Sequence, residues 1–273
     1  MLERTGGFPV TQSQDATPAI TAVVSILDAL AESPTNLSLS ELSRRTGVPK
    51  SSMHRMLAGL LNTHLVNLED GGYTLGPKVM RYQAAYVRKL DVVQVFGRVA
   101  ALHVPILEET MQLARLEDGG EAVFIAKLDC QKMIRPATYV GRRVQAHATA
   151  VGKVLLSSLT QDQLEKLYPN DALPVLTPTT ISSRKKLIKE LEQVRRNGFA
   201  ATLQESIANL CCVSAPVRDA TGKTIAALSV CMATQNPEVQ RREKAISHLR
   251  LAAREISVQL GCFEDVKDTL VLV

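Results

Sequence analysis

The chain has 273 residues, 45% of them hydrophobic and 22% charged, with a net charge of +5 and a pI near 9.0. That length allows one or two domains with a sizeable core, and the composition excludes a disordered or fibrous chain. No apolar run nears the ~20 residues a membrane span needs, and residues 1–17 lack the apolar core of a signal peptide, so a cytoplasmic protein with no membrane partner is expected.

Residues 1–17 show no periodicity and are expected to form a disordered tail. Ile20, Val23, Val24, Leu27 and Leu30 then give an amphipathic helix. Ser38 and Glu41 form a capping box that opens a short helix burying Leu39 and Leu42, and Gly47 stops it. Pro49 suits the first position of a second helix, with Met53, Met56, Leu57, Leu60 and Leu61 on one face. Its other face is polar and carries Lys50, Ser51, Ser52, His54 and Arg55 near the N-terminal end, the end a recognition helix presents to the major groove. Two β-rich runs around Glu69-Asp70-Gly71-Gly72 complete a winged helix-turn-helix pattern over residues 18–77. A plain helical hairpin with a solvated polar face fits the same spacing.

The charge is unevenly placed. Through residue 77 five basic residues meet seven acidic ones, yet Arg44, Arg45, Lys50 and Arg55 cluster around a single Glu41. Charge supports DNA binding less than patterning does. Gly76-Pro77 opens a helical run with Met80, Ala84, Val87 and Leu90 on one side, and Asp91 caps a further helix that Pro105 is expected to end or kink. Residues 78–104 read equally as a linker and dimer element or as an outer helix of the next domain.

From residue 105 to 262 the pattern is α+β. Strands are expected over 111–116 and 121–128, around Asp118-Gly119-Gly120, and over 134–140. Helices follow over 149–159, over 160–168 with a Thr160/Gln163 capping box, and over 183–197 with Gly198 as its stop. Two strong strands, 211–218 and 224–232, precede a closing helix from 237 to about 260 that buries Ala245, Leu249, Ala252, Ile256 and Leu260. Residues 263–273 are a C-terminal tail.

The helix starting at Thr149 leaves free N–H groups, those of Ala150 and Val151 among them, which suit a small carboxylate; an ordinary helix end facing water is the alternative. Gly152-Lys153 is not a P-loop, because His147 stands where the first glycine belongs and no Ser or Thr follows Lys153. His147 has no second ligand at metal spacing and reads as a structural histidine. The five cysteines are odd in number without framework spacing, so reduced thiols are expected; Cys211 and Cys212 should point to opposite faces of one strand. Glu205, Ser214 and Ser229 have no accompanying histidine and no G-x-S-x-G elbow. No enzyme, metal or cofactor is expected.

Taken together, SLSELSRRTGVPKSSMHRMLAGL, Tyr73-Thr-Leu-Gly76, GRRVQAHATAVGKVLL, NGFAATLQES and CCVSAPVRDATGKTIAALSV, in that order, resemble the IclR family of bacterial transcription regulators from about Pro18 to Cys262. The resemblance implies a winged helix-turn-helix domain, a helical linker and a GAF-like ligand-binding domain, in a dimer or tetramer that represses or activates catabolic operons. It implies an effector pocket lined by Val144, Ala150, Val151, Leu210, Cys212, Ser214, Ser229 and Cys231, with the amides of Ala150 and Val151 on the effector's acid group. Thr202, also placed in this pocket, stands where members often have an acidic residue. Asn209 replaces a usual glycine, and Ala22 a common arginine. The first departure, with Val144, Leu210 and the cysteines, favours an aromatic or larger acid over a glyoxylate-like one.

The sequence therefore points to a ligand-responsive regulator that holds double-stranded operator DNA through Arg44, Arg45, Lys50, Ser51, Ser52, His54 and Arg55, and senses a small organic acid. The alternative is a small-molecule enzyme or signalling domain whose helix-turn-helix contacts protein.

Overall fold

The computed structural model describes residues 18–87, 91–132, 138–232 and 238–263. The two expected tails lie outside them, apart from Phe263, as do Leu90 of the expected linker, most of the strand expected over 134–140, and Pro237. Chain contacts divide the protein into two units, Met1–Lys89 and Leu90–Val273.

The first unit packs α1 (Pro18–Ala31), α2 (Leu39–Thr46) and α3 (Lys50–Asn62) on the hairpin β1–β2 (Val66–Glu69 and Gly72–Leu75). Ser38 and Glu41 make both bonds of the capping box, and Gly47 ends α2 at a φ of 72°, which a side chain would strain. Ile26, Leu42, Met53, Leu57 and Val66 form the core. The buried stripe of α1 is rotated from the expected one: Ile26 and Leu30 are buried, whereas Ile20 and Val24 are exposed. With apolar residues at almost every position from 22 to 30, the spacing alone admits both faces. The wing turns through Asp70-Gly71, both at positive φ, and gains a bridge between Tyr73 and Leu37. Helix α4 (Lys78–Val87) follows.

The second unit is built on one antiparallel sheet in the order β5-β4-β3-β8-β7-β6. Its strands are β3 (Met111–Glu117), β4 (Glu121–Leu128), β5 (Arg143–Gln145), β6 (Ala200–Leu203), β7 (Cys211–Arg218) and β8 (Thr224–Met232). Side chains alternate between the faces. Val213, Ala215, Leu228 and Val230 pack under α5 (Val92–Leu107) and α9 (Val239–Gln259). On the other face Ala114, Phe124 and Ala227 pack under α6 (Ala150–Ser157), while α7 (Gln161–Leu167) and α8 (Arg184–Asn197) build a further cluster around Leu156, Leu187 and Leu191.

Helix α5 buries Val95, Phe96, Val99 and Val104 in the main core of this unit. It also continues past Pro105 to Leu107. A proline this close to a C-terminus forfeits one backbone bond, and burial of Leu107 holds the last turn. Strands β5 and β6, three and four residues long, were not expected from the sequence.

Candidate functional site

In the first unit, burial of Met53, Leu57 and Leu60 fixes the rotation of α3. Lys50, Ser51, His54 and Arg55 are thereby exposed, and Ser52 is half-buried. Arg44 and Arg45, in the last turn of α2, are exposed as well, close in sequence to the start of α3. Cations there suit the negative helix end. The face is thus a basic and hydroxyl-rich surface at the N-terminal half of a helix braced by a two-helix turn.

In the second unit a cavity of about 220 Å³ opens between the sheet and α6. Thr149 caps α6, its Oγ accepting from the Gly152 amide at 3.3 Å and donating to the Gln145 carbonyl at 3.1 Å. Gly152 is required there: a Cβ would lie 2.1 Å from the Ala146 carbonyl oxygen. This close packing brings the first turn of α6 to the cavity, where the amides of Ala150 and Val151 have no intrahelical acceptor.

Of the expected effector residues, Val144, Ala150, Val151, Leu210, Cys212, Ser229 and Cys231 line this cavity. Ser214 and Thr202 do not. Ser214 is fully buried, its hydroxyl donating to the Leu228 carbonyl at 2.8 Å, and Thr202 is buried beside Cys212 in the β6–β7 register. The lining also takes in Gln112, Phe124, Arg142, Leu176 and Ile207, which sequence reasoning missed. Gln112 and Ser229 are register partners on β3 and β8, and both are buried. Gln112 donates to the Thr138 hydroxyl, but its Oε1 and the Ser229 Oγ have no partner among the described residues. Two buried polar atoms left unpaired at a cavity wall are costly unless a ligand or water meets them. A glutamine within the otherwise apolar first half of β3, Met111 to Ala114, is the signal for this position.

Cys212 and Cys231 face each other across β7 and β8 with their sulfur atoms 2.7 Å apart, as free thiols. The hydrogen bond that Cys212 makes to Cys231, and then burial, hold the Cys212 thiol well above the usual thiol range.

The remaining chemistry-bearing residues are structural. His147 is buried, bonds the Pro174 carbonyl at 2.8 Å through Nε2, and meets the ring of Tyr168 edge to face. Burial pushes its pKa down, so it is the neutral imidazole that packs there. Lys153, wholly buried at the base of α6, binds Glu205 at 2.6 Å and Glu190 at 3.2 Å. Burial raises the Glu205 pKa and Lys153 opposes that rise. Glu205, Ser214 and Ser229 therefore do not assemble a hydrolytic relay: each of the first two is committed elsewhere. Cys211 faces the core opposite to Cys212. Among the described residues no three His, Cys, Asp or Glu groups cluster as a metal site.

Two family profiles match the chain: the bacterial transcriptional regulator IclR C-terminal domain over residues 84–258, and the IclR helix-turn-helix domain over residues 19–69. The chain is 30% identical to the HTH-type transcriptional repressor AllR of Escherichia coli over 251 residues, 91% of this chain and 92% of AllR. The structure superposes on the Agobacterium tumefaciens repressor BlcR with a TM-score of 0.73 at 29% identity, covering 90% of this chain and 98% of BlcR. It also matches an IclR homolog from Microbacterium hydrocarbonoxydans solved in complex with 4-hydroxybenzoate, with a TM-score of 0.56 at 25% identity, over 89% of this chain and 98% of that one. With both halves matched in the same order as the helix-turn-helix and the cavity-bearing domain, the chain belongs to the IclR family of transcriptional regulators.

Proposed function

We propose that this regulator is a repressor that binds double-stranded operator DNA as a homodimer or tetramer in the cytoplasm, and that a small carboxylic acid, aromatic or of similar bulk, controls it. The acid is carried by one observation: the uncommitted amides of Ala150 and Val151 lie at a helix N-terminus inside a cavity. Its volume of about 220 Å³ is below the ~300–1,000 Å³ of drug-sized sites, which restricts the ligand to a small molecule. Phe124, Val144, Leu176, Ile207 and Leu210 suit an apolar body, and Gln112 and Ser229 suit a polar substituent. The 4-hydroxybenzoate complex of the Microbacterium relative supports an aromatic acid, and the names of AllR and BlcR support repression.

On the DNA side, α3 enters the major groove, where Ser51, Ser52, His54 and Arg55 contact bases or phosphates, with Lys50, Arg44 and Arg45 positioning the protein. The effector acts by favouring one arrangement of the recognition helices over another, which requires that it bind one arrangement better. It is bound and released unchanged. The test is gel retardation of DNA from upstream of the protein's own gene, titrated with aliphatic and aromatic acids. A salt-sensitive complex released by one acid is the expected result. Turnover of an acid, or DNA binding indifferent to salt, would replace the proposal with an enzyme or protein-contact role.

A further inference from the structure

Cys212 and Cys231 occupy directly opposed positions of the β7–β8 register. Both side chains point to the cavity, while their neighbours Cys211 and Met232 point into the core on the other face. At 2.7 Å the sulfur atoms are closer than the ~3.5–4.0 Å of ordinary non-bonded contact between heavy atoms, and an S–S bond of ~2.05 Å needs only a small side-chain adjustment. Adjacent antiparallel strands already hold the two backbones. A small oxidant reaches the pair by the route that opens the cavity to ligand.

We propose that Cys212 and Cys231 form a reversible disulfide site in the wall of the cavity, oxidised by a small hydroperoxide. One thiol, as its thiolate, attacks the outer oxygen of the hydroperoxide. The O–O bond breaks, leaving a sulfenic acid on the protein and releasing an alcohol, or water from hydrogen peroxide. The second thiol then attacks the sulfenic sulfur, the S–S bond forms, and hydroxide leaves with the displaced proton as water. Two thiols lose two electrons and two protons, and the hydroperoxide is the group reduced. Attack by Cys212, whose thiol is held above the usual range, accelerates as pH rises; the second step needs no diffusion. The disulfide removes both S–H donors from the cavity wall and ties together two strands in the middle of the sheet. A weakened effector response on oxidation follows; that consequence rests on the effector-pocket reading, whereas the disulfide itself does not.

The test treats the full-length protein with hydrogen peroxide, blocks free thiols, and maps the products by mass spectrometry. Trypsin cleavage after Arg218 and Lys223 separates β7 from β8, and since Cys211 and Cys212 share one tryptic peptide, Cys212→Ser assigns the link to Cys212 by abolishing it. The expected product has lost two hydrogen atoms, joins the peptides of Cys212 and Cys231, reverts with dithiothreitol, and forms about tenfold faster per pH unit while the thiol remains mostly protonated. In Cys231→Ser the link is lost and Cys212 becomes trappable by dimedone; Cys212→Ser gives the reciprocal result. Oxidation confined to Cys130 or Cys262, or a product that dithiothreitol does not reverse, overturns the site. With the acid that releases DNA in the gel assay, the oxidised protein should need roughly two- to tenfold more acid. An unchanged requirement in protein whose disulfide is mapped overturns the regulatory consequence alone.

Discussion

Gly152 decides how closely the first turn of α6 approaches the chain that precedes it. In Gly152→Ala the new Cβ meets the backbone of Ala146 at 2.1 Å, so the helix end must move. We expect a loss of about 1–3 kcal/mol in urea unfolding, together with an effector affinity reduced at least ~tenfold by calorimetry, because the acid-binding amides move with the turn. Arg55→Ala should weaken operator binding by about 1–3 kcal/mol if the side chain reads a base edge, or lower the salt slope by about one if it meets a phosphate, with effector affinity unchanged. Glu205 supplies a pH signature. Burial raises its folded pKa above the ordinary carboxyl range, so its favourable contribution is complete below that range and is lost as pH rises through the raised value. As pH rises above the ordinary carboxylate range, unfolding midpoints of wild type should therefore fall relative to those of Glu205→Gln. At this scale the cavity was partly legible: residues flanking a cap or on a recognised strand could be placed, but Gln112 and Phe124 belong to it only because β3 and β4 pair beside β8.

At the scale of elements, legibility followed length and punctuation. The Asp219-to-Lys223 turn, with Gly222 at a φ of 77°, delimits β7 and β8, and both strands have their expected bounds. The caps Ser38, Asp91 and Thr160 each accept the bond their position implied. Strands β5 and β6 are too short to show alternation and exist because a neighbour supplies their hydrogen bonds. Helix α3 carries both recognition face and core, so its packing is a functional variable. Leu57→Ala, at a site 1% exposed, should cost about 2–5 kcal/mol and abolish DNA binding while acid binding survives. Circular dichroism with gel retardation would check it; intact DNA binding in a destabilised variant would show that the helix-turn-helix is not the contacting element.

For the whole molecule, the division near residue 89 predicts separable activities. A fragment from Asp91 onward retains α5, the sheet and α9, and should bind the acid with affinity within about threefold of the full chain while failing to retard DNA. Loss of acid binding in a folded fragment would mean that the first unit completes the pocket. The two-sided use of one strand was not legible in the sequence, because it depends on which layers pack on either face of the sheet. Ser229 and Cys231 of β8 border the cavity, and Leu228 and Val230, alternating with them along the strand, bear on the layer of α5 and α9. In so tightly packed an interior β8 works like a plank resting on two supports: pressed from the ligand side, it cannot yield without transmitting the load to α5, the helix that begins just after the division between the two units.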